Sequence, residues 1–225
     1  MNGELYEALA RVFGFPEPSF DADVTRAAAL CADHPKAAQA LREFERLLPK
    51  ADPIALRELH TRTFDVQPIT SLDIGYTLFG EDYKRGALLA KLSAEHTRAK
   101  NDCGLELADH LTNVLRLLPR LDQKSCDEFV KVLLGPAVQE MINEFEPSRM
   151  AKKEALYKKH HKTVLDTAEG EQRTAYRHAL VALRLVLQRD FSLPEPMPFA
   201  EDSKFAASVD AELRVEDDHA RSERT

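Results

Sequence analysis

Residues 64–92 read FDVQPITSLDIGYTLFGEDYKRGALLAKL, and residues 106–118 read ELADHLTNVLRLL. Two stretches with the helical spacing of apolar residues flank a connection that is polar and aromatic. The polar residues of this connection fall where the helices are expected to begin. This placement predicts a functional surface between Phe64 and Leu118, and from this stretch alone the surface is a catalytic site, a metal site or a docking groove.

Apolar residues recur at three- and four-residue spacing along almost the whole chain, and only 8 of its 225 residues are glycine. This pattern predicts an all-α, single-domain helical bundle of about nine to ten helices. Prolines mark several boundaries, because the residue before proline is pushed out of the helical conformation. Residues 66–80 are predicted to be a long connection. The predicted helices cover about residues 2–13, 19–34, 35–48, 53–64, 81–100, 107–118, 125–133, 136–145, 149–165 and 171–191.

The chain changes in character after residue 191. The stretch LPEPMPF at 193–199 prevents a helix from continuing, because proline lacks the amide donor and clashes with the preceding turn. The residues after it are mostly charged or small. We therefore expect residues 1–191 to form the helical domain and residues 192–225 to form a Pro-containing, charged, flexible tail.

The net charge is −7, with 31 Lys and Arg against 38 Asp and Glu. No overall basic field attracts nucleic acid or an anionic membrane. The three cysteines show no C-x-x-C spacing, which favours reduced thiols. The start, MNGELYEAL, lacks the regions of a signal peptide, and no apolar run reaches the roughly 20 residues that span a bilayer. These features predict a cytoplasmic protein with no nucleic-acid partner and no direct membrane insertion.

Motifs typical of enzymes are missing from the sequence. Adjacent residues on a helix, such as Asp109 and His110, point about 100° apart and do not share one metal ion. Ser71 and Cys103 fall in predicted loops, but neither stands in a nucleophile elbow, and phosphate-binding glycine loops do not occur. The lysine-rich run at 152–162 is interpreted as a solvated helix face. We predict no catalytic residues, no metal site and no bound cofactor.

Two polar groups in the central stretch allow two interpretations. Glu81 and Asp82 are expected in the first turn of a helix, where carboxylates complement the helix dipole, and Arg85 follows at ion-pairing distance. Asp109 falls near another helix start, which suits an N-cap, and His110 is then directed toward whatever packs over that helix end. Either pair is explained by capping alone or by contact with a ligand, and the residues themselves leave both interpretations open.

The sequence resembles the NarJ/TorD group of redox-enzyme-maturation chaperones, also called nitrate reductase delta subunits. The resemblance rests on LYEALARVFGFP at 5–16, TFD at 63–65, FGEDYKRGALL at 79–89 and ELADHL at 106–111. In the nitrate-reductase branch the last two motifs resemble H-G-E-x-x-x-R-G and E-L-P-D-H-L. The residues that match them here are Gly80, Glu81, Arg85, Gly86, Asp109, His110 and Leu111.

This resemblance implies a TorD/NarJ-like chaperone, not an enzyme, whose partner is the catalytic subunit of a molybdenum oxidoreductase. It would hold the N-terminal, signal-like segment of that subunit while the molybdopterin cofactor is inserted. An apolar groove lined by Leu72, Ile74, Tyr76, Leu78 and Phe79 would take a client helix, and carboxylates would meet its arginines. The predicted client-binding residues are Leu72, Tyr76, Phe79, Glu81, Asp82, Arg85, Asp109, His110 and Leu111. The alternatives are a small helical enzyme or nucleotide-using protein with a site around Asp109 and His110, and a stable structural subunit of an oxidoreductase complex.

Overall fold

The computed structural model describes residues 1–160, 170–195, 204–205 and 207–212. Within these ranges the chain is helical, has no strand and forms one domain, which confirms the predicted all-α class. None of the described helices is both long enough and apolar enough to cross a membrane. The α-helices are α1 (Gly3–Phe13), α2 (Phe20–Leu30), α3 (Pro35–Leu47), α4 (Pro53–Phe64), α5 (Ile74–Phe79), α6 (Tyr83–Ala99), α7 (Leu111–Leu117), α8 (Gln123–Phe129), α9 (Gly135–Asn143), α10 (Pro147–His160) and α11 (Ala175–Phe191).

The core is organised around α11, which packs against α3 and α9, while α1 packs against α2 and α7. Tyr176 of α11 is fully buried, and its ring centroid lies 4.8–5.7 Å from those of Phe44, His60 and Phe64. Tilted and edge-to-face ring pairs of this kind stabilise a core by about 0.5–1.5 kcal/mol each beyond their buried area. The cluster therefore fixes the end of α4, from which the central connection departs.

The predicted connection at 66–80 contains a helix that the sequence analysis missed. Helix α5 is short, and it is apolar on almost all sides because it packs against both α6 and α9. A buried helix of this kind has no polar face, so its sequence lacks the amphipathic period that reveals other helices. An isolated bridge between Asp73 and His110 precedes it, in which the Ile74 amide donates to the Asp109 carbonyl at 3.0 Å.

Two further predicted helix boundaries are wrong. Helix α7 begins at Leu111 and not near 107, because the buried Asn113 amide donates to the carbonyls of Cys103 and Leu107 at 3.2 and 3.0 Å and holds residues 103–107 in a loop. The expected break before Pro136 is also absent. Helix α8 continues into α9 through a π turn, Val130–Leu134, whose wider hydrogen-bond spacing accommodates a proline.

The C-terminal part of the chain is described only in pieces. Most of the predicted flexible tail, like residues 161–165 of the predicted lysine-rich helix, lies outside the described residues. Residues 204–205 and 207–212 are helical, and Phe205 and Val209 are buried against Tyr76 and Tyr157. These four side chains form a cluster of their own, apart from the main core, and we call it the satellite cluster.

The lysine-rich run is not entirely a solvated face. Lys153 is 2% exposed, and its ammonium donates to the Glu144 carboxylate at 2.7 Å and to the Ile69 carbonyl. Arg149 donates to the other oxygen of Glu144, also at 2.7 Å. This buried charge cluster joins α10 to the connection that follows α4, and it therefore shapes the region in which the functional surface was predicted.

Candidate functional site

Asp109 lies inside the protein at the junction of α5, α6 and the start of α7. Its side chain is 0% exposed, and Oδ2 accepts a hydrogen bond from the Gly75 amide at 3.1 Å. The same oxygen lies 3.5 Å from Nε of Arg85. A Cβ atom at position 75 would lie only 2.6 Å from Oδ2, so this approach requires glycine. Asp109 therefore holds α5 and α6 together, a structural role other than the predicted one: the N-cap of α7 is His110, so the interpretation of Asp109 as the cap of that helix is wrong.

Arg85 connects three carboxylates. Its guanidinium lies 2.8 Å from Asp73, 3.2 Å from Glu81 and 3.5 Å from Asp109, and it also lies over the ring of Tyr76. Burial, and then the neighbouring Asp109, raise the pKa of Asp73 to about 6 against the opposing effect of Arg85. Burial likewise raises the pKa of Asp109. One arginine therefore faces three acidic groups, and the cluster has an excess of negative charge.

The other predicted site residues at the helix starts have defined structural partners. Asp82 is the N-cap of α6 and accepts from the Lys84 amide at 2.9 Å, while Glu81 is exposed. His110 is the N-cap of α7, and its Nδ1 lies 2.8 Å from Oγ1 of Thr112. The side chain of His110 is 13% exposed, so one edge of the ring still borders the surface.

The predicted apolar groove is not an open surface. Leu72, Ile74 and Leu111 are buried, and Leu78 and Phe79 are half-buried against the core. Tyr76 is also buried, but in the satellite cluster. The structure therefore brings the predicted residues together around α5, yet it places most of the apolar ones inside the protein.

An open cleft lies beside this group, between α1, the end of α4 and the loop before α7. It has a volume of about 580 Å³, and we call it the acidic cleft. Its walls carry three aromatic rings and three carboxylates, with a single arginine that is 3.2 Å from Glu7. The lining residues that matter here are Phe13, Phe15, His60, Phe64, Asp65, Asp73, Glu106, His110 and Arg116.

A second cavity of about 360 Å³ adjoins the acidic cleft. The two share Phe64, Asp65, Ser71 and Asp73, so they lie on either side of the connection after α4. The second cavity extends past Arg85 to the satellite cluster, and we call it the aromatic cleft. A peptide segment that follows this connection can contact both clefts.

His60 lines the acidic cleft and carries a buried hydrogen-bond acceptor. Its Nε2 lies 3.3 Å from the Phe13 carbonyl, which can only accept, so Nε2 carries the proton and Nδ1 is the acceptor. Nδ1 has no hydrogen-bond partner among the described protein residues, and the nearest charged atom, Oδ2 of Asp65 at 3.9 Å, is also an acceptor.

Acid is expected to destabilise the protein through the two histidines of the acidic cleft. Burial lowers the pKa of both His60 and His110 to about 4, whereas the ordinary value is 6.5. The unfolded chain therefore binds protons first as the pH falls from 6.5 to 4, and the free energy of unfolding decreases through this window. Asp73, whose pKa is raised, opposes this trend below about pH 6.

A His60→Gln variant isolates the histidine contribution, because glutamine keeps a donor for the Phe13 carbonyl and does not titrate. We expect a shallower decrease of the unfolding free energy between pH 6.5 and 4 in urea titrations, and parallel curves above pH 7. Equal slopes in the variant and the unmodified protein between pH 6.5 and 4 would show that His60 is not held neutral.

Sequence reasoning missed the aromatic wall and the acceptor set of the acidic cleft. Phe13 ends α1 and Phe15 follows it, and both were interpreted only as part of a helix end and of a motif of the resemblance, as Glu106 was of another motif, without being assigned to a binding surface. His60 lies on the inner face of α4, where a histidine gives no local signal. Among the described residues, no group of three His, Cys, Asp or Glu side chains forms a metal-ligand set. The chain matches no protein-family model, and it matches no curated protein.

Proposed function

We propose that this protein is a chaperone for the catalytic subunit of a molybdenum oxidoreductase. It binds the N-terminal, signal-like segment of that subunit and releases it after the molybdopterin cofactor has been inserted. The observation that carries the proposal is the acidic cleft, which is lined by both carboxylates and aromatic rings and lies beside the motifs that resemble the NarJ/TorD group. Binding and release, rather than turnover, is the chemistry that this set of groups supports.

The polar groups of the cleft suit the arginines of a client segment. Asp65 and Glu106 have exposed side chains, and both line the acidic cleft. Carboxylates bind a guanidinium through charge-assisted hydrogen bonds, which are about twice as strong as neutral ones. A client arginine presents a planar group with several donors, which carboxylates bind more specifically than they bind a lysine ammonium.

Apolar side chains around the cleft suit the rest of an amphipathic client. Phe15 is 50% exposed on the cleft wall, and Leu105 and Leu107, which flank Glu106 in the sequence, are 103% and 49% exposed. Val66, next to Asp65, is 44% exposed. Of these residues Phe15 lines the cleft, and the other three are sequence neighbours of its carboxylates; exposed apolar residues of this kind are typical of surfaces that bind a partner. The sequence predicted that an apolar groove binds the apolar face of the client, but the residues of that groove are buried or half-buried. We propose that these exposed apolar residues make the contact instead.

The charge of the cleft can be tested by reversal. We expect the Asp65→Lys/Glu106→Lys variant to bind the N-terminal peptide of the client about ten- to a hundredfold more weakly, because two charge-assisted contacts become repulsive. The loss should be largest at low ionic strength, where screening is least. Isothermal titration calorimetry at about 20 mM and about 500 mM salt, which give a long and a short screening length, measures both effects.

The matched control is Asp33→Lys/Glu128→Lys, which makes the same change in net charge at exposed positions away from the cleft. It should leave the affinity almost unchanged, because only the weak long-range effect of the net charge on the peptide remains. The client is identified beforehand by affinity purification of the full chain from its source organism. Retention of a molybdoenzyme catalytic subunit that lacks cofactor supports the proposal, whereas exclusive retention of the cofactor-loaded enzyme supports a structural subunit instead.

A further inference from the structure

Residues 204–205 and 207–212 cover one end of the aromatic cleft. Phe205 is 1% exposed and Val209 is 6% exposed, and both pack on Tyr76 and Tyr157. The rings of Tyr76 and Phe205 meet edge to face with their centroids 5.7 Å apart, and Nζ of Lys153 lies 5.2 Å from the centre of the Phe205 ring. The Tyr76 hydroxyl donates to Glu212 at 2.7 Å. This helical segment is thus held at a site of defined shape and chemistry.

The mode of attachment is that of a ligand helix. Phe205 and Val209 are four residues apart in the sequence and both are buried in the satellite cluster, while Lys204, Ala207 and Ala211 are exposed. Two apolar anchors at this spacing are the usual way in which an amphipathic helix binds a groove. The satellite cluster is separate from the main core, so removal of the segment leaves the packing around α11 in place.

The backbone around α5 also accommodates the segment. Gly80 ends α5 with φ +62° and ψ −143°, a conformation that is essentially restricted to glycine. A Cβ atom at this position would lie 2.0 Å from Oγ of Ser208. The end of α5 therefore gives the segment close access to the protein surface beside Tyr76.

The bound segment borders the space that the proposed client would occupy. Phe205, Val209 and Glu212 line the aromatic cleft together with Asp65 and Asp73, which also line the acidic cleft. The arginines of a client helix would reach Asp65, and its apolar face would continue along the aromatic cleft. The next surface that it meets there is the satellite cluster. The client's apolar side chains would contact Tyr76 and Tyr157 at the positions that Phe205 and Val209 occupy in the structure.

We propose that residues 204–212 are an internal competitor for the client: Phe205 and Val209 occupy the subsite between Tyr76 and Tyr157 that an aromatic–aliphatic pair of the client helix takes on binding. This inference rests on the proposed function. It adds which client side chains one subsite binds and which segment of the protein regulates that subsite. A protein whose binding-competent form is a minor fraction shows an apparent affinity reduced by that fraction. Minor forms of roughly 1–10% are common, so release of the segment raises the affinity about ten- to a hundredfold.

The first experiment removes both anchors in the full chain. The Phe205→Ser/Val209→Ser variant is compared with Ala207→Ser/Ala211→Ser, which places the same residue type on the exposed face of the same segment. The probe is a synthetic amphipathic peptide that carries phenylalanine and leucine four residues apart and two arginines, titrated by fluorescence anisotropy. We expect at least about tenfold tighter binding by the anchor variant than by the control variant, which should match the unmodified protein.

A second measurement follows the segment itself. The sequence contains no tryptophan, so a Phe205→Trp substitution introduces a single reporter at the subsite. Its emission should be blue-shifted in the free protein and should move to the red when the probe peptide displaces the segment. This readout does not depend on the folding of the serine variants.

The outcomes separate the inference from the function on which it rests. In one outcome the probe binds all variants equally tightly and leaves the emission of the introduced tryptophan unchanged at saturation. This result would disprove that residues 204–212 compete with the client, and it would leave the proposed client cleft unaffected. Failure of the probe and of the client's N-terminal peptide to bind any variant would overturn both. The proposal that residues 204–212 compete with the client requires both results, tighter binding by the anchor variant and a red shift of the tryptophan emission.

Discussion

Replacement of Glu144 with alanine is expected to lower the free energy of unfolding by about 3–5 kcal/mol, the range found when one partner of a buried ion pair is removed. Glu144 is 0% exposed and accepts from Arg149 and Lys153, which are themselves 1% and 2% exposed. The change leaves two buried cations with fewer acceptors. Burial already lowers the pKa of Lys153 to about 8 against the opposing effect of Glu144, so the ammonium depends on this carboxylate for its charge.

Urea unfolding at pH 7 measures the effect of Glu144→Ala. Glu128→Ala serves as the control, because this exposed glutamate lies at the end of α8 and its removal should change the stability by no more than about 0.5 kcal/mol. Glu144→Gln, which keeps a hydrogen-bond acceptor and most of the volume, should fall between the two. If Glu144→Ala and Glu128→Ala unfold at the same urea concentration, the buried charge cluster does not stabilise the fold.

Replacement of Asp109 with alanine is expected to lower the free energy of unfolding by about 2–4 kcal/mol. The Gly75 amide is buried and loses its acceptor, and Nε of Arg85 loses its nearest carboxylate. The penalty for a buried donor without an acceptor is about 1–3 kcal/mol, and the loss of the ion pair adds to it. The two interactions join α5 to α6, so the damage should spread along the connection that lines both clefts.

Asp109→Asn separates the hydrogen bond from the charge. The amide oxygen of asparagine still accepts from Gly75, so this variant should cost less than half as much as Asp109→Ala. Because the charge of Asp109 contributes to the raised pKa of Asp73, that pKa should fall below about 6 in Asp109→Asn. Urea unfolding and a carbon-detected NMR titration of the Asp73 carboxyl measure the two effects. Equal costs for the two variants, with the pKa of Asp73 unchanged, would contradict this account of the junction.

The fold class followed from the sequence because most helices of this protein are amphipathic and capped. Asp52 followed by Pro53 predicts a helix start, and in the structure the Asp52 side chain accepts from the amides of Ile54 and Ala55. The same reasoning failed for α5, because a helix that is buried on nearly all sides has no polar face to reveal its period. Helix boundaries near residues 107 and 136 failed for a related reason, since long-range packing and a π turn overrode the local signals.

The site was harder to predict than the fold. The motifs around Glu81 and Asp109 located the region beside the acidic cleft, but the spacing of residues does not tell whether a carboxylate points inward or outward. Asp109 turns inward because Gly75 leaves room for it, and that fit depends on two residues 34 positions apart. His60 and Phe15 reach the acidic cleft from α4 and from the end of α1, and only the assembled bundle brings them together.

The π turn between α8 and α9 has a consequence for how this chain can vary in length. Buried residues along the joined helix recur at four-residue intervals, as Cys126, Val130, Leu134 and Val138. An α-helix completes a turn every 3.6 residues, so a strict repeat of four would rotate steadily away from the core. The wider π turn absorbs this rotation in mid-helix. Loss of one residue from 130–134 would convert the π turn into an ordinary α turn and leave α9 nearly in phase with α8, whereas the same loss from a regular α-helix turns everything after it by about 100°. This segment is therefore expected to tolerate a single deletion better than the helices on either side of it.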